Sequence, residues 1–296
     1  MTTTEPIIGG IIVTYNPEIK LLTENISAVL NQFSSVLIVD NGSQNINQIR
    51  SISVKNGVEI IELHNNRGIA YAQNIGIKYY QNYGNDWALM LDQDTVIPEN
   101  AYNCMINLPQ FKNKKTGILG MRYLPHVEGP DVHRVTRIIA SGNLVNIAAW
   151  EKVGGFDNEL FIDQVDFDFD YKLQLAGYNI WQIDSLKLKH DVGKRPTHTY
   201  YSRILSKIFG LNHITEHSEF RQYYIYRNSL IMRKRYPEFI QKRSLFQFIL
   251  RMIILSFSYE HPLKKIKAAF NGIFEAMRYD PNEDLEFQRF KKSVAK

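Results

Sequence analysis

Residues 87–95 read Trp-Ala-Leu-Met-Leu-Asp-Gln-Asp-Thr, an apolar run that ends in two aspartates separated by one residue. The run at 87–91 is typical of a buried strand. Asp92 and Asp94 follow where the chain leaves this strand, so both carboxylates can face one cleft. Their oxygens suit Mg²⁺ or Mn²⁺, which keep part of their coordination shell for phosphate oxygens and water. A turn that caps a helix is an equally good explanation of such a pair in isolation.

The sequence before this run alternates short apolar segments with helix-period segments. This alternation predicts an α/β fold with a Rossmann-like, mostly parallel sheet flanked by helices. The three further strands predicted there are 7–13, 36–39 and 58–63. Ligands of such sheets bind beyond the carboxyl ends of the strands. The loops at those ends are polar and comprise residues 14–16, 40–43, 64–68 and 92–95.

The pattern is less regular after Gly117. The elements predicted there are a strand at 138–146, helices at 148–153 and 163–176, and strands at 180–183 and 186–189. We predict a catalytic domain over 1–215, with a nucleotide-binding part at 1–95 and an acceptor part at 96–215. A helical, basic C-terminal extension is predicted over 216–296.

Composition limits the class of protein. The 296 residues are 44% hydrophobic, which is enough for a sizeable core, and the net charge of +5 identifies no partner by itself. The single cysteine, Cys104, excludes an internal disulfide and a cysteine-based zinc site and fits a reducing compartment. Residues 1–6 lack the features of a signal peptide, and the apolar stretch at 245–257 is too short to span a bilayer. The cytoplasm is therefore the predicted location.

The apolar residues of 245–257 have lysine and arginine on both sides, among them Lys242, Arg243 and Lys264. A basic amphipathic helix of this kind can lie on an anionic membrane surface, as a peripheral membrane protein does. Packing against the catalytic domain, or against the second subunit of a homodimer, is the alternative. No helix-turn-helix, RNP or zinc-finger pattern accompanies the basic residues, so we expect no nucleic-acid partner.

Four aspartates fall within residues 163–170. Such crowding is unfavourable in a buried helix and usually indicates function or solvent exposure. Crowded carboxylates can have raised pKa values, which suit a general base that accepts a proton from a hydroxyl. A solvated helix face with one cap is the competing interpretation.

Ten short motifs in the first 230 residues or so resemble those of family 2 glycosyltransferases of the GT-A fold, and especially bacterial rhamnosyltransferases of O-antigen and capsule polysaccharide biosynthesis. The motifs are IVTYNP at 12–17, VDNGS at 39–43, NNRGIA at 65–70, LDQD at 91–94, SGNLVN at 141–146, GGFD at 154–157, LFID at 160–163, VDFD at 165–168, HDVG at 190–193 and YRN at 226–228. Their order and spacing are specific for the family, and less specific for the sugar.

The resemblance implies a donor site at the four strand ends. It implies that Thr14, Tyr15 and Asn16 line the nucleotide pocket. It also implies that Asp40 accepts a hydrogen bond from the pyrimidine base, with a cap on the following helix as the alternative role of Asp40. Arg67 is implied to contact base or phosphate, with a solvated surface arginine as the alternative. Further substrate-binding residues implied are Asp92, Ser141, Gly142 and Arg227.

The resemblance also implies the catalytic and metal-binding groups. Asp94 is implied to bind Mg²⁺ or Mn²⁺, with Asp92 as a helper and His190 as a second ligand, a purely structural histidine being the alternative. Gln93 replaces an acid found in many relatives, and we expect that change to matter little. Asp166 falls at the position of the catalytic base, and Asp163 is the other candidate.

The implied reaction is an inverting transfer of L-rhamnose from dTDP-L-rhamnose to a hydroxyl of a lipid-linked glycan. A UDP-hexose donor is the alternative within the family. From another class, residues 92–96 fit the motif of haloacid-dehalogenase-type phosphatases, in which Asp92 would be a nucleophile. In those enzymes the motif follows the first strand of the sheet, and here three strands are predicted before it.

Overall fold

The computed structural model describes residues 6–123, 129–190, 199–209, 216–240 and 244–295. The chain forms two compact units. The first contains the described residues within Met1–Phe161, Val165–Asp191 and Arg289–Lys296. The second contains Ile162–Gln164 and the described residues within Val192–Gln288.

The strands that the structure describes all belong to the first unit. They are β1 Gly9–Thr14, β2 Ser35–Asp40, β3 Glu59–Glu62, β4 Trp87–Asp92, β5 Thr95–Val96, β6 Thr116–Arg122, β7 Val132–Arg134, β8 Asn143–Asn146, β9 Asn179–Lys187 and β10 Lys189–His190. Eight of these described strands form one sheet in the order β3-β2-β1-β4-β8-β6-β9-β7, and β10 pairs with β5. Strands β1 to β4 are mutually parallel, β6 pairs in parallel with β9, and β7 and β8 pair antiparallel with their neighbours.

Helices cover the sheet and make up the second unit. They are α1 Ile19–Leu30, α2 Ile46–Asn56, α3 Ile69–Asn82, α4 Ala101–Ile106, α5 Ile147–Lys152, α6 Val165–Leu175, α7 Thr199–Phe209, α8 Glu219–Arg235, α9 Leu245–Ser256, α10 Pro262–Arg278 and α11 Leu285–Val294, with a short 3₁₀ helix at Asn158–Leu160. The predicted α/β class with a mostly parallel sheet and C-terminal helices is confirmed.

The apolar spacing of the sequence produces the core. Leu22, Ile26 and Val29 of α1 are fully buried, because their spacing of four and three residues puts them on one helix face. They pack in one cluster with the interior residues of β1, β2 and β4. Burial of a side chain of this size contributes roughly 1.5 to 3 kcal/mol. This packing fixes the strands whose ends carry the candidate site.

The strand ends of the first half lie side by side. Thr14 pairs with Asp40 across β1 and β2, and Val13 pairs with Asp92 across β1 and β4. β1, β2 and β4 each extend one residue beyond the predicted end, so Thr14, Asp40 and Asp92 are the last residues of their strands. The polar loops that follow therefore begin at one edge of the sheet.

The second half corrects several predicted elements. The strand predicted at 138–146 begins only at Asn143. Its first part is irregular because the backbone N–H groups of Ile138 and Ala140 donate to side-chain carboxylates and not to a neighbouring strand. The two strands predicted at 180–183 and 186–189 are mainly one strand, β9. β6 was not predicted at all.

The helix predicted to start at 163 starts at Val165. Asp163 and Gln164 have φ angles of 63° and 67°, outside the helical region, so neither residue can belong to the first turn of α6. Asp166 consequently lies in that first turn.

The second unit is helical in its described part. α8 packs along α10, and the buried guanidinium of Arg235 on α8 pairs with Asp284 at 2.6 Å and with the hydroxyl of Tyr279 at 2.6 Å. The carboxyl group of Asp284 is partly buried, but the Phe287 backbone N–H, the Tyr279 hydroxyl and Arg235 together hold its pKa below the ordinary value. Among the helices described, none is long and apolar enough to cross a bilayer.

Candidate active site

Asp40 organises the loop that follows β2. One of its carboxylate oxygens accepts the hydroxyl of Thr14 at 2.9 Å, and the other accepts the backbone N–H groups of Gly42 and Ser43 at 3.1 and 2.9 Å. Asp40 is only 1% exposed, and α2 does not begin until Ile46. The carboxylate therefore holds the loop at 41–43 and does not cap α2.

The loop after β1 is bonded to two others. The backbone N–H of Asn16 donates to the Ser43 hydroxyl at 2.8 Å, and the Asn16 side chain accepts the N–H of Gln44 at 2.7 Å. The N–H of Tyr15 donates to the Gln93 side chain at 2.8 Å, while the Tyr15 ring is half exposed. Gln93 thus connects the loop after β1 to the acidic pair.

The loop after β3 is bonded to the loop after β2. The side-chain oxygen of Asn41 accepts the backbone N–H of Arg67 at 2.8 Å, and the side-chain oxygen of Asn66 accepts from Asn41 and from the N–H of Gly68. The Arg67 guanidinium lies 3.9 Å from the ring centroid of Tyr71 and is exposed. It therefore has a fixed stem and an accessible charged end.

The acidic pair at the end of β4 has its backbone fixed by neighbours. The hydroxyl of Ser141 accepts the N–H of Asp92 at 2.9 Å and donates to the Thr95 hydroxyl at 2.8 Å. Gly142, the next residue, donates its N–H to the carbonyl of Met90 on β4 at 2.8 Å. Ser141 and Gly142 thus contact the strand that ends at Asp92, and the side chains of Asp92 and Asp94 are both partly exposed.

These residues fit a hard divalent cation. Two carboxylates with accessible oxygens at one strand end are the donor type that Mg²⁺ and Mn²⁺ take, with water and phosphate completing the shell. The backbone of His190 pairs with Thr95, directly beside Asp94, but the His190 side chain lies outside the described residues. Among the side chains that are described, no three acids, cysteines or histidines converge as a ready-made metal cage.

The four aspartates of 163–170 each have a separate environment. Asp163, in the second unit, pairs with Arg221 through both oxygens, the closest contact being 2.9 Å. Asp166 accepts the N–H of Ala140 at 3.2 Å. Asp168 pairs with Lys172 at 2.9 Å, and Asp170 accepts the N–H of Ile138 at 2.7 Å. Asp168 and Asp170 are buried, so this segment is not a solvated helix face.

Burial dominates the electrostatics of Asp170. It raises the pKa of this carboxyl group well above 3.8, and the nearby negative charge of Asp166 raises the pKa further. The hydrogen bond from Ile138 and the charge of Arg137 oppose the shift. Asp166, one turn earlier on α6, is partly exposed.

A cavity of about 480 Å³ lies beside the first turn of α6. Phe167 of that turn and the segment Ile138–Ile139 form part of its wall, together with Tyr123, Arg134, Arg137 and Gln182. The Arg137 guanidinium lies 4.9 Å from the ring centroid of Phe167. The cavity therefore offers an aromatic ring and hydrogen-bond donors near Asp166.

Arg227 belongs to the second unit, on α8. Its Nε donates to Glu275 at 2.7 Å, and one terminal nitrogen donates to the side chain of Asn228 at 2.9 Å. The predicted grip of Arg227 on a diphosphate stays a prediction. In the first unit, hydrogen bonds connect several predicted site residues at adjoining loops, either directly or through Ser43 and Gln93. These residues are Thr14, Tyr15, Asn16, Asp40, Ser141 and, through its backbone, Asp92.

The comparisons with known proteins identify a glycosyltransferase of the GT-A fold that uses a nucleotide-sugar donor. The chain belongs to glycosyl transferase family 2, whose model matches residues 11–172. The dTDP-rhamnosyl transferase RfbF of Shigella flexneri is 32% identical over 292 residues, which cover 90% of this chain and 95% of the relative. The family match favours the glycosyltransferase over the phosphatase that residues 92–96 alone would allow.

Two solved structures share the fold. Residues 1–349 of S. aureus TarS, in complex with UDP-GlcNAc, match with a TM-score of 0.52 at 15% identity, covering 92% of this chain and 91% of TarS 1–349. GalNAc-T7 with UDP, GalNAc and Mn²⁺ matches with a TM-score of 0.52 at 14% identity, covering 75% of this chain and 51% of that protein. At such identities the likeness concerns the fold alone.

Two features of the site escaped sequence reasoning. Gln93 stands where many relatives have an acid, and the sequence gives no sign that its side chain accepts the backbone N–H of Tyr15. Asp168 and Asp170 are both buried, and their partners distinguish them, since Lys172 pairs with Asp168 whereas Asp170 accepts the backbone N–H of Ile138. Asp166 and Asp170 are four residues apart in the sequence, a spacing that indicates a common helix face.

Proposed function

We propose that this protein transfers L-rhamnose from dTDP-L-rhamnose to a hydroxyl of a lipid-linked surface-polysaccharide acceptor, of O-antigen or capsule type, with inversion at the anomeric carbon. The observation that carries the proposal is the 32% identity, over nearly the whole chain, to a dTDP-rhamnosyl transferase. The family and the fold support a nucleotide-sugar donor, and this relative supports the particular donor.

In this proposal the joined loops bind the donor. Tyr15 offers an exposed ring for stacking on the base, and Asn16 and Asp40 hold the loops around it. Because the Asp40 carboxylate already accepts three hydrogen bonds, a direct bond to the base would use its remaining acceptor capacity. Arg67 supplies an exposed guanidinium for base or phosphate, and Arg227 is a second candidate for phosphate.

Asp94 would hold a divalent cation, with Asp92 assisting and His190 as a further ligand. When bound, Mg²⁺ or Mn²⁺ would neutralise the charge that develops on the departing nucleoside diphosphate. Ser141 supports this arrangement because it fixes the backbone of Asp92 and contacts Thr95. The chain itself thus contributes two partly exposed carboxylates at a strand end whose backbone is held by Ser141.

Asp166 would act as the catalytic base. Its carboxylate is partly exposed and is oriented by the N–H of Ala140, next to Ser141. As the acceptor hydroxyl attacks the anomeric carbon, the proton passes to Asp166 and the bond to the diphosphate breaks. The pairing of Asp163 with Arg221 makes Asp163 less available for this task. The cavity beside Phe167 would bind the acceptor sugar.

We further propose that the enzyme works at the cytoplasmic face of the membrane, where a lipid-linked acceptor would be held. An anionic membrane surface is then a partner, and a homodimer is the alternative use of the C-terminal helices.

The donor can be tested with purified protein in Mg²⁺ or Mn²⁺. Released nucleotide is measured with dTDP-rhamnose, UDP-glucose, UDP-galactose and UDP-N-acetylglucosamine, each with and without a glycan acceptor. We expect dTDP-rhamnose to be the only one of these four donors that is turned over. Consumption of only a UDP sugar would overturn the rhamnosyl assignment and leave the family assignment intact.

A further inference from the structure

Helix α10 has three distinct sides. One side packs inside the second unit and contains Ala269, Gly272, Ile273 and Ala276. Gly272 fixes this orientation, because a Cβ atom there would lie 2.3 Å from the carbonyl oxygen of Tyr223 on α8. The helices approach so closely that α10 cannot rotate to bury another side.

The second side is apolar and exposed. It contains Leu263, Phe270, Phe274 and Met277, of which Leu263, Phe274 and Met277 are 74%, 57% and 59% exposed. Their spacing of seven, four and three residues puts them on one stripe along the 17-residue helix. The rise from Leu263 to Met277 makes the stripe about 21 Å long. A contiguous row of large apolar side chains in water indicates an interaction surface.

The third side is basic. Lys264, Lys267 and Arg278 are exposed and follow the stripe along one flank, at helical positions adjoining it. The Arg278 guanidinium lies 4.2 Å from the ring centroid of Phe274, so charge and apolar surface are in direct contact. The only acid of α10, Glu275, bonds Arg227 and Tyr223 and therefore does not neutralise this flank.

Helix α9 adds apolar surface of the same kind in the same unit. Phe246, Leu250 and Phe257 are 72%, 44% and 47% exposed, and Met252 on the other side of the helix is buried. The exposed side of α9 is apolar. On α10, in contrast, the Arg278 cation lies directly against the apolar stripe of the same helix.

We propose that the exposed stripe of α10, Leu263, Phe270, Phe274 and Met277 with the flank Lys264, Lys267 and Arg278, docks on the surface of an anionic lipid bilayer. Apolar side chains inserted at the level of the headgroups, beside cations that meet lipid phosphates, are the recognised arrangement for interfacial helices. A second copy of the same face is a poorer partner, because in an antiparallel two-fold pair its basic flank would lie beside the basic flank of the first copy. The proposal rests on the proposed function only for its purpose, which is to reach a lipid-linked acceptor.

The test uses the full chain and vesicles of phosphatidylcholine, with and without phosphatidylglycerol, in co-sedimentation. We expect binding only to the anionic vesicles, weakened by salt. The variant Lys264→Glu/Lys267→Glu should lose at least about fivefold in partition coefficient per lysine. Phe274→Ser/Met277→Ser should also lose binding. The matched control is Val54→Ser/Lys55→Glu on the exposed side of α2, where Val54 is 83% exposed, and it should bind as wild type does.

Three results would overturn the proposal: no binding of the wild type, equal binding to both vesicle types, or unchanged binding of both α10 variants. Light scattering tests the remaining alternative, which is that this face is a subunit interface. A wild-type dimer that becomes a monomer in Phe274→Ser/Met277→Ser would identify it as one. Release of nucleotide from dTDP-rhamnose in solution should be the same in all variants. The membrane inference and the donor assignment therefore fail independently.

Discussion

The backbone N–H of Tyr15 donates to the side-chain oxygen of Gln93 at 2.8 Å. This bond joins the loop after β1 to the residue between the two aspartates, so that loop and the segment that carries Asp92 and Asp94 are held together. Replacing an acid by glutamine at 93 keeps the acceptor oxygen and removes a charge. The residue between Asp92 and Asp94 therefore has a structural task of its own.

Gln93→Ala should weaken donor binding. Loss of one such hydrogen bond costs about 1 kcal/mol, so we expect the KM for the donor to rise roughly fivefold with little change in kcat. Gln93→Glu keeps the acceptor oxygen and should have a KM near that of wild type. Steady-state kinetics with the donor varied measure both. A Gln93→Ala enzyme with unchanged donor KM would show that the bond is dispensable.

Removal of the metal or of Asp94 should have the same effect. We expect EDTA, and separately Asp94→Ala, to lower kcat/KM by roughly 100-fold or more, since the charge on the diphosphate is then not neutralised. Calorimetric titration of the donor should also lose its dependence on Mg²⁺ or Mn²⁺. Glu99→Gln, an exposed acid just beyond β5, is the matched control and should keep full activity. A metal-dependent Asp94→Ala enzyme would move the ligand role elsewhere.

Asp166→Asn should abolish transfer but leave donor affinity nearly unchanged. Loss of a general base typically lowers the rate by 10²- to 10⁴-fold, roughly the fall we expect in kcat. Asp163→Asn removes only the pairing with Arg221 and should lower kcat by less than about tenfold. Single-turnover rates and donor titration separate chemistry from binding. A larger fall in kcat for Asp163→Asn than for Asp166→Asn would assign the base to Asp163.

Asp170 should make stability depend on pH. Because its folded-state pKa is raised above 3.8, the native protein keeps a proton on Asp170 that the unfolded chain has already released. The Asp170 contribution to the free energy of unfolding should therefore fall by about 1.4 kcal/mol per pH unit, from near pH 4 up to the folded-state pKa. Asp170→Asn has no proton to release and should lack this fall.

Urea unfolding of wild type and Asp170→Asn from pH 4.5 to 8 measures the difference. The variant should gain stability relative to wild type as the pH rises, and the gain should stop above the folded-state pKa. Asp131→Asn, an exposed acid of the same unit, serves as the control. A difference that stays constant with pH would mean that Asp170 is ionised in the native state.

The N-terminal half of the fold was predictable because its strands are continuous apolar runs bounded by Asn, Asp and Gly. The same pattern indicates the site, since the polar loops follow strands that run parallel, and Thr14, Asp40 and Asp92 end adjacent strands as expected. Strand β6 escaped because Gly117 and Gly120 interrupt its apolar pattern. A Cβ atom at position 120 would lie 2.1 Å from the end of the Ile138 side chain, so glycine leaves room for that side chain.

The irregular stretch at 138–142 could not be predicted from local sequence. Its apolar residues favour a strand, but its N–H groups bond to Asp166 and Asp170 from another part of the chain. The roles of the four aspartates were ambiguous for the same reason, because a cation, a backbone donor and burial distinguish them only after folding. Long-range partners, and not propensity, decide this half of the site.

The chain enters the second unit for three residues, Ile162–Gln164, between two long stretches of the first unit. The first unit also includes residues from Arg289 onward. Phe290 is buried, and the carbonyl of Ser293 accepts a hydrogen bond from Lys152 at 3.2 Å. No single cut in the chain can therefore separate the units into autonomous fragments. Trimming the C-terminus before Arg289, as one would to remove a dispensable tail, deletes part of the unit that contains the sheet.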